Sequence, residues 1–325
     1  MIWLVATLFV AACTSASDKA TPTSPTTTTT VGTPSTTRAT TTTTAAPTCN
    51  LPHAPGQSEA SFTFDGKERT YQLYVPPGYT GRSAVPVVFN FHGYGSNAVE
   101  QMVYGDFKPL ADRHGFLIVA PDGQDSTGGR HFNLTGEPGL QNDLLMVPAA
   151  LADVEAKLCV DPTRVYSTGM SDGGAMTSLL ACNESDTFAA FAPVAVNLYY
   201  RGCGGTHDVA ITGFMGTADP VVPFNGGRVA CCGGPVLPGA PAAMAGWAAH
   251  DHCDKDFTDT RLGSEVRKRT WSGCDPGSAT VFYIIDGGGH TWPGAIAIGG
   301  LGLTTKQINA SNVIWDFFSS HRLES

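Results

Sequence analysis

One serine of this chain stands in a setting that suits nucleophilic chemistry. In the segment YSTGMSDGG, residues 166 to 174, Ser171 fits the pattern G-x-S-x-G and is followed by two glycines. Glycine suits a backbone that turns too sharply, or passes another segment too closely, for a Cβ. When such a turn joins a strand to a helix, its serine hydroxyl projects above the sheet and can attack a carbonyl carbon. The alternative is a tight structural turn, and we favour the nucleophile.

A serine nucleophile needs a base, and the base needs a carboxylate that orients it. Asp219 follows the apolar run VAITGFMG, and His290 follows the run ATVFYIID on a glycine-rich segment. The chain order Ser171, Asp219, His290 is the order found in α/β-hydrolases. Asp286 is a second candidate for the acid, but it lies so near His290 that it would not easily reach round the imidazole ring. The sequence therefore predicts a Ser-His-Asp triad.

Attack of a serine on a carbonyl carbon forms a tetrahedral intermediate, and its negatively charged oxygen needs hydrogen-bond donors. The backbone N–H of Asp172 is one candidate, because it lies at the start of the helix predicted after the nucleophile. A second N–H is expected from the loop after the run VPVVFNF, which continues as His92, Gly93 and Tyr94. We predict Tyr94 as this donor, with Gly93 as the neighbouring alternative. For His92 we predict a structural role in holding the loop.

The elements that must position these residues are indicated by short apolar runs that alternate with amphipathic stretches. Strands are predicted at RTYQLYVP, VPVVFNF, GFLIVAP, RVYSTG, FAAFAPVAV, VAITGFMG and ATVFYIID, and helices at AVEQMVYGDFKPLADRHG, LLMVPAALADVEAKLC, AMTSLLAC and INASNVIWDFFSS. Asp143 is expected to cap the second of these helices, although Pro148 lies inside it. This alternation predicts an α/β-hydrolase fold, with a mostly parallel sheet and helices on both faces. Sites in such sheets lie at the carboxyl ends of the strands.

The N-terminal part of the chain differs in composition and predicts export. Residues 1–13 form an apolar run that ends in Val-Ala-Ala-Cys, which is typical of a signal peptide. Cys13 resembles the lipidated cysteine of bacterial lipoproteins, with an ordinary cleaved signal as the alternative. Residues 14–48 are rich in threonine and proline and predict a disordered stalk. Residues 49–325 are then the catalytic domain, extracellular or anchored to the cell surface through Cys13.

The remaining eight cysteines are typical of an exported domain with up to four disulfides. Spacing alone does not give the connectivity, and the one specific pairing that we predict is Cys253 with Cys274. The segment HDHCDKD offers His250, His252 and Cys253 as types of metal ligand. No second cysteine stands at the spacing of a zinc finger, so we predict a disulfide here, and neither a metal nor a cofactor.

Several segments together resemble one family closely. The segments HGYGSN, APDG, CVDPTRVYSTGMSDGG, FAAFAPVA, GTADPVVPFNGG and GGGHTWPG are similar to those of the secreted α/β-hydrolases that include polyhydroxybutyrate depolymerases and feruloyl or acetylxylan esterases. The resemblance extends from about residue 60 to the last predicted helix. It implies that Ser171 is the nucleophile, His290 the base and Asp219 the acid.

Two positions depart from the pattern of that family. Asp172 follows the nucleophile where many relatives have asparagine, and its carboxylate would add negative charge beside the oxyanion unless it turns away. Phe132 stands where relatives often carry a tryptophan that helps to line the substrate cleft, so the resemblance does not fix the substrate preference of this chain. We predict that Phe132 and Trp292 line the substrate pocket.

The residues and the resemblance together predict a serine esterase with an acyl-enzyme intermediate. The expected substrates are hydroxyalkanoate oligomers, or feruloyl and acetyl esters of polysaccharides. Two alternatives stay open, an acyltransferase that acts on cell-envelope sugars and a catalytically silent binding module. The net charge of −9, without a basic cluster, argues against a nucleic acid partner. We expect a monomer that contacts a membrane only through a lipid on Cys13.

Overall fold

The computed structural model describes residues 49–324. The predicted leader with Cys13 and the predicted stalk lie outside the described residues. The strands are β1 (Gly56–Phe64), β2 (Lys67–Val75), β3 (Val85–Phe91), β4 (Leu117–Pro121), β5 (Val160–Met170), β6 (Ala190–Val194), β7 (Ala210–Gly216), β8 (Gly226–Arg228), β9 (Val236–Pro238), β10 (Phe257–Arg261), β11 (Val266–Trp271) and β12 (Ala279–Ile285). The helices are α1 (Ala98–Tyr104), α2 (Lys108–His114), α3 (Asp143–Lys157), α4 (Asp172–Asn183), α5 (Ala240–His250) and α6 (Ala310–Ser319).

Within the described residues, ten of the strands form one sheet in the order β1-β2-β4-β3-β5-β6-β7-β12-β11-β10. The central strands from β4 to β12 in this order run parallel. The pairs β1–β2 and β11–β10 extend the two edges in antiparallel orientation. The predicted α/β fold with a mostly parallel sheet is confirmed. β8 and β9 form a separate hairpin.

Alternate residues of the central strands enter two hydrophobic cores, one on each face of the sheet. In β3, Val87 and Phe89 pack in one core, whereas Val88 packs in the other. Helices α3, α4 and α5 cover the first core, and α1, α2 and α6 cover the second. Each fully buried side chain of this size stabilises the fold by roughly 1.5–3 kcal/mol. Helices therefore lie on both faces, as predicted.

The stretch predicted as one helix between β3 and β4 is two short helices. Pro109 lies in the first turn of α2, where its missing N–H costs no hydrogen bond. In one continuous helix the same residue would have broken the ladder. Asp106, between the two helices, adopts a left-handed φ of 41°. Gly115 ends α2 in the left-handed conformation, at the position where the sequence predicted the end of the helix.

The cap of α3 differs from the prediction. Asn142, and not Asp143, is the N-cap, and its side chain accepts a hydrogen bond from the N–H of Leu144. The Asp143 carboxylate is buried, lies 2.6 Å from Arg69 Nη2 and accepts from the N–H of Asn133. A buried carboxylate needs such partners, and asparagine caps a helix as well as aspartate does.

Four disulfides connect residues within the described range: Cys49–Cys159, Cys182–Cys203, Cys231–Cys232 and Cys253–Cys274. The predicted pairing of Cys253 with Cys274 is confirmed. The neighbouring His252 bonds Asp275, and His250 bonds Asp251. Within residues 49–324, no helix is both long enough and apolar enough to cross a membrane.

Candidate active site

Ser171 lies on the turn that joins β5 to α4, at the carboxyl end of a central strand. Its φ is 57°, a left-handed value that is uncommon for a residue with a side chain. The N–H of Ser171 donates to the carbonyl oxygen of Val194 at 2.9 Å, which ties the turn to the end of β6. This conformation holds the hydroxyl above the edge of the sheet.

The glycines around Ser171 are required because three segments meet there. A Cβ on Gly169 would lie 2.6 Å from the carbonyl oxygen of Gly173, and one on Gly174 would lie 2.8 Å from that of Val194. A Cβ on Gly173 would overlap the carbonyl of Phe91 at the end of β3. The three glycines therefore let α4 approach β3, β5 and β6 closely enough to form the turn.

The structure brings Ser171, His290 and Asp219 into one chain of hydrogen bonds. Ser171 Oγ lies 2.8 Å from His290 Nε2, and His290 Nδ1 lies 2.7 Å from Asp219 Oδ2. The side chain of Asp219 is fully buried, and its Oδ1 accepts from the N–H groups of Val221 and Val222. These two donors fix the orientation of the carboxylate. The imidazole can therefore take a proton from the serine while the carboxylate orients the ring.

Asp219 and His290 follow β7 and β12, which are neighbours in the sheet. The N–H of Ala218 donates to the carbonyl of Gly288, and that of His290 donates to the carbonyl of Leu301. The loops that carry the acid and the imidazole are therefore tied to each other. The predicted geometry, in which strand ends at one edge of the sheet bring the residues together, is present.

Asp286, the second candidate for the acid, takes no part in this chain of hydrogen bonds. Its carboxylate bonds the guanidinium of Arg267 at 2.6 Å and that of Arg261 at 3.1 Å. Arg267 holds the pKa of Asp286 below its usual range. Asp286 is therefore ion-paired with these two arginine residues and lies away from the imidazole.

The loop after β3 lies directly beside the serine. Gly93 and Tyr94 line the same cavity as Ser171, and a Cβ on Gly93 would come within 3.4 Å of Ser171 Cβ. His92 is fully buried, and its Nε2 accepts from the N–H of Gly123 at 2.8 Å. Its Nδ1 therefore carries the proton and donates to the carbonyl of Gly93. Burial lowers the pKa of His92. A neutral histidine thus fixes the loop.

The carboxylate of Asp172 is engaged by a neighbouring loop. Its Oδ2 accepts from the backbone N–H of Phe132 at 2.8 Å. Burial raises the pKa of Asp172 to about 6. The backbone N–H of the same residue stands at the start of α4, where a helix leaves its donors free for an anion.

Phe132 and Trp292 do not line the cavity, which corrects the sequence-based expectation. Phe132 is 1% exposed and packs edge-on against Phe91. Trp292 is also 1% exposed, packs edge-on against Phe107 and donates from Nε1 to Ser311 Oγ at 3.0 Å. Both rings are large and apolar, and a position in the core removes more of their surface from water than a position at the cavity wall would. They support the loops of the site from beneath.

A cavity of about 640 Å³ opens at Ser171 and His290. Its wall is formed mostly by apolar and sulfur-containing side chains: Val99, Val103, Tyr104, Met170, Val221, Cys231, Cys232, Ile296, Ile298 and Leu301. Val99, Val103 and Ile296 are each at least half exposed. These residues were not predicted from the sequence, although Val99 and Val103 are four positions apart on one face of α1, which is a detectable signal.

Comparison with known proteins agrees with this architecture. Residues 69–221 match the family model described as Esterase PHB depolymerase. Feruloyl esterase B of Piromyces equi is 28% identical over 227 residues, which cover 66% of this chain and 41% of that relative, so the chain spans less than half of that protein. Probable feruloyl esterase C of Aspergillus oryzae is 30% identical over 233 residues, which cover 69% of this chain and 76% of that relative.

Among solved structures, an acetyl xylan esterase from Aspergillus awamori superposes with a TM-score of 0.57 at 15% identity. The match covers 81% of this chain and 99% of that chain, and it shows a shared fold. The resemblance read from the sequence is thereby confirmed. The chain belongs to the family of polyhydroxybutyrate depolymerases and feruloyl esterases, which are carboxylic ester hydrolases of the α/β-hydrolase fold.

Proposed function

We propose that this protein is a serine esterase in which Ser171, His290 and Asp219 form the catalytic triad. The observation that carries the proposal is the pair of hydrogen bonds from Ser171 Oγ to His290 Nε2 and from His290 Nδ1 to Asp219 Oδ2, at 2.8 and 2.7 Å. Each residue follows a different parallel strand, so the sheet itself supports the arrangement.

In the first step, Ser171 Oγ attacks the ester carbonyl carbon while His290 Nε2 accepts its proton. Asp219 keeps the other proton of the ring on Nδ1 and stabilises the imidazolium that forms. The N–H groups that Val221 and Val222 direct at Asp219 keep its carboxylate in one orientation.

The tetrahedral intermediate places a negative charge on the former carbonyl oxygen. We assign the N–H of Asp172 and the N–H of Tyr94 as its donors, with Gly93 as the neighbouring alternative to Tyr94. His290 then returns its proton to the leaving alcohol, and an acyl-enzyme remains on Ser171. A water molecule activated by His290 releases the acid in the second half of the reaction.

The substrate is proposed to be an ester with a sizeable apolar group. A cavity of about 640 Å³ with a mostly apolar surface lies beside the nucleophile, which is more space than an acetyl group needs. Feruloyl esters of polysaccharides and hydroxyalkanoate oligomers both present such a group next to the ester bond. The relatives described as feruloyl esterases support the first of these substrates.

Export is part of the proposal. Four disulfides within residues 49–324 are typical of a protein that works in an oxidising compartment. We propose that Cys13 carries the lipid that anchors the protein at the cell surface. Expression of the wild type and Cys13→Ala in bacteria with an alkyne-labelled fatty acid tests this, because label on both proteins or on neither would contradict it.

The triad is tested with a panel of p-nitrophenyl esters, methyl ferulate, acetylated xylan and hydroxybutyrate oligomers. Ser171→Ala should lower kcat by at least about 10⁴-fold on every ester that the wild type cleaves. Ser319→Ala is the matched control, since Ser319 lies exposed at the end of α6. Equal residual hydrolysis by the wild type and Ser171→Ala would refute the proposal. Product analysis with an added sugar acceptor separates hydrolysis from acyl transfer.

A further inference from the structure

We propose that the disulfide between Cys231 and Cys232 is a substrate-binding element of the active-site cavity that selects esters with a bulky apolar group. This inference rests on the proposed function. Both cysteines line the cavity that also contains Ser171 and His290. Both are exposed to solvent, so their sulfur atoms are available to an occupant of the cavity.

A disulfide between adjacent residues closes a small ring that includes the peptide bond between them. The segment that carries it is held further by hydrogen bonds from Gly234 N–H to the Cys231 carbonyl, and from Val229 N–H to the Pro235 carbonyl. Neither cysteine side chain retains rotamer freedom to lose when a substrate binds. A wall of this kind is preorganised and avoids the entropic cost of ordering a flexible side chain.

The position of this wall is coupled to the triad. The N–H of Ala230, next to Cys231, donates to the carbonyl of Val221 at 2.8 Å. The N–H of Val221 in turn donates to Asp219 Oδ1. Two consecutive hydrogen bonds therefore fix the distance between the disulfide and the acid of the triad.

The chemistry of the wall favours an apolar occupant. A disulfide has no hydrogen-bond donor, and its soft, polarisable sulfur atoms suit contact with aliphatic and aromatic groups. Val221, Ile298 and Leu301 line the same cavity and extend this surface. A sugar hydroxyl placed there would lose hydrogen bonds to water without replacement. The acyl chain or aromatic ring of the ester is therefore the group that contacts the disulfide.

The test compares substrate selectivity in paired cysteine variants of the full-length chain. The variants are Cys231→Ala with Cys232→Ala and, as the matched control, Cys253→Ser with Cys274→Ser, which removes another disulfide that is not among the cavity-lining residues. For each protein, kcat and KM are measured on p-nitrophenyl acetate and hexanoate. We expect the ratio of kcat/KM for hexanoate to that for acetate to fall about tenfold in the first variant, through KM, and to keep its wild-type value in the control.

An unchanged ratio in a folded Cys231→Ala, Cys232→Ala protein would overturn the inference while leaving the esterase proposal intact. A wild type that cleaves no ester would instead overturn the proposed function, and the inference with it. If the variant does not fold, brief treatment of the wild type with a water-soluble phosphine gives the same comparison. Alkylation and peptide mapping then quantify reduction at Cys231 and Cys232, and thiols found there before reduction would also overturn the inference.

Discussion

Replacing Asp172 by asparagine should stabilise the protein above pH 6 and have little effect at pH 4. Burial raises the pKa of Asp172 from an ordinary value of 3.8 to about 6, so the folded state binds this proton more tightly than the unfolded state. The resulting stabilisation is complete below about pH 4 and is lost as the pH rises through 6. Asparagine resembles the neutral carboxyl, because its Oδ1 can still accept from the Phe132 N–H.

The magnitude follows from the difference between the two pKa values. A difference of about two corresponds to about 3 kcal/mol between the charged and neutral forms. Asp172 is partly exposed, so solvent screens some of this cost, and we expect a gain of about 1 to 3 kcal/mol for Asp172→Asn at pH 8. The assay is urea denaturation of both proteins, with disulfides intact, at several values between pH 4 and pH 8.

Asp286 provides a matched control, because its pKa is shifted in the opposite direction from that of Asp172. Arg267 lowers the pKa of Asp286, so the ionised form of Asp286 stabilises the folded state, and this stabilisation is lost as the pH falls toward the lowered pKa. Asp286→Asn should therefore destabilise the protein at pH 7, and the difference should shrink in acid. A gain for Asp172→Asn that is the same at pH 4 and pH 8 would refute the assignment of a costly buried charge to Asp172.

Three further predictions concern the triad and the packing around it. Asp219→Asn should lower kcat by about 10³- to 10⁴-fold by allowing the wrong imidazole tautomer, whereas Asp286→Asn keeps kcat near the wild-type value; similar rates for the two variants would contradict the assignment. Gly173→Ala should lower the free energy of unfolding, measured in urea, by about 3 kcal/mol or more, because its Cβ would overlap a β3 carbonyl. Gly78→Ala serves as the control, since a Cβ at that position meets nothing within 4 Å. Trp292→Ala should lower the free energy of unfolding by about 3 to 5 kcal/mol and reduce kcat/KM, because the loop that carries His290 becomes looser. Unchanged kinetics would show that this loop does not depend on the indole ring of Trp292.

The central strands could be predicted because both of their faces are buried, which leaves continuous apolar runs such as that of β3. The edge strand β10 could not be predicted in this way. All five residues of β10 are exposed, and its sequence FTDTR shows no buried face. Its structure depends on pairing with β11, which a local pattern does not reveal. β1 was not predicted either, although Ala60, Phe62 and Phe64 pack against the core and alternate with exposed polar residues, which is a detectable signal.

The three residues at the strand ends could be placed because parallel strands bring their carboxyl ends to one edge. The residues that line the cavity could not be identified in this way. Phe132 and Trp292 have the residue type of a wall, but type alone does not separate a ring in the core from a ring in a cavity. The pairing of Cys231 with Cys232 was also out of reach, because cysteine spacing leaves the connectivity open.

The loop after β12 carries His290 at its start and part of the cavity rim in its middle. His290 stands at its start, where its N–H donates to the carbonyl of Leu301, and the N–H of Gly294 donates to the carbonyl of Thr305. Ile296, at the exposed rim of the cavity, lies between these attachments. Insertions and deletions in that middle part can reshape the rim without displacing the imidazole. Natural sequence variation in this part of the loop can therefore change the range of substrates while the reaction stays the same.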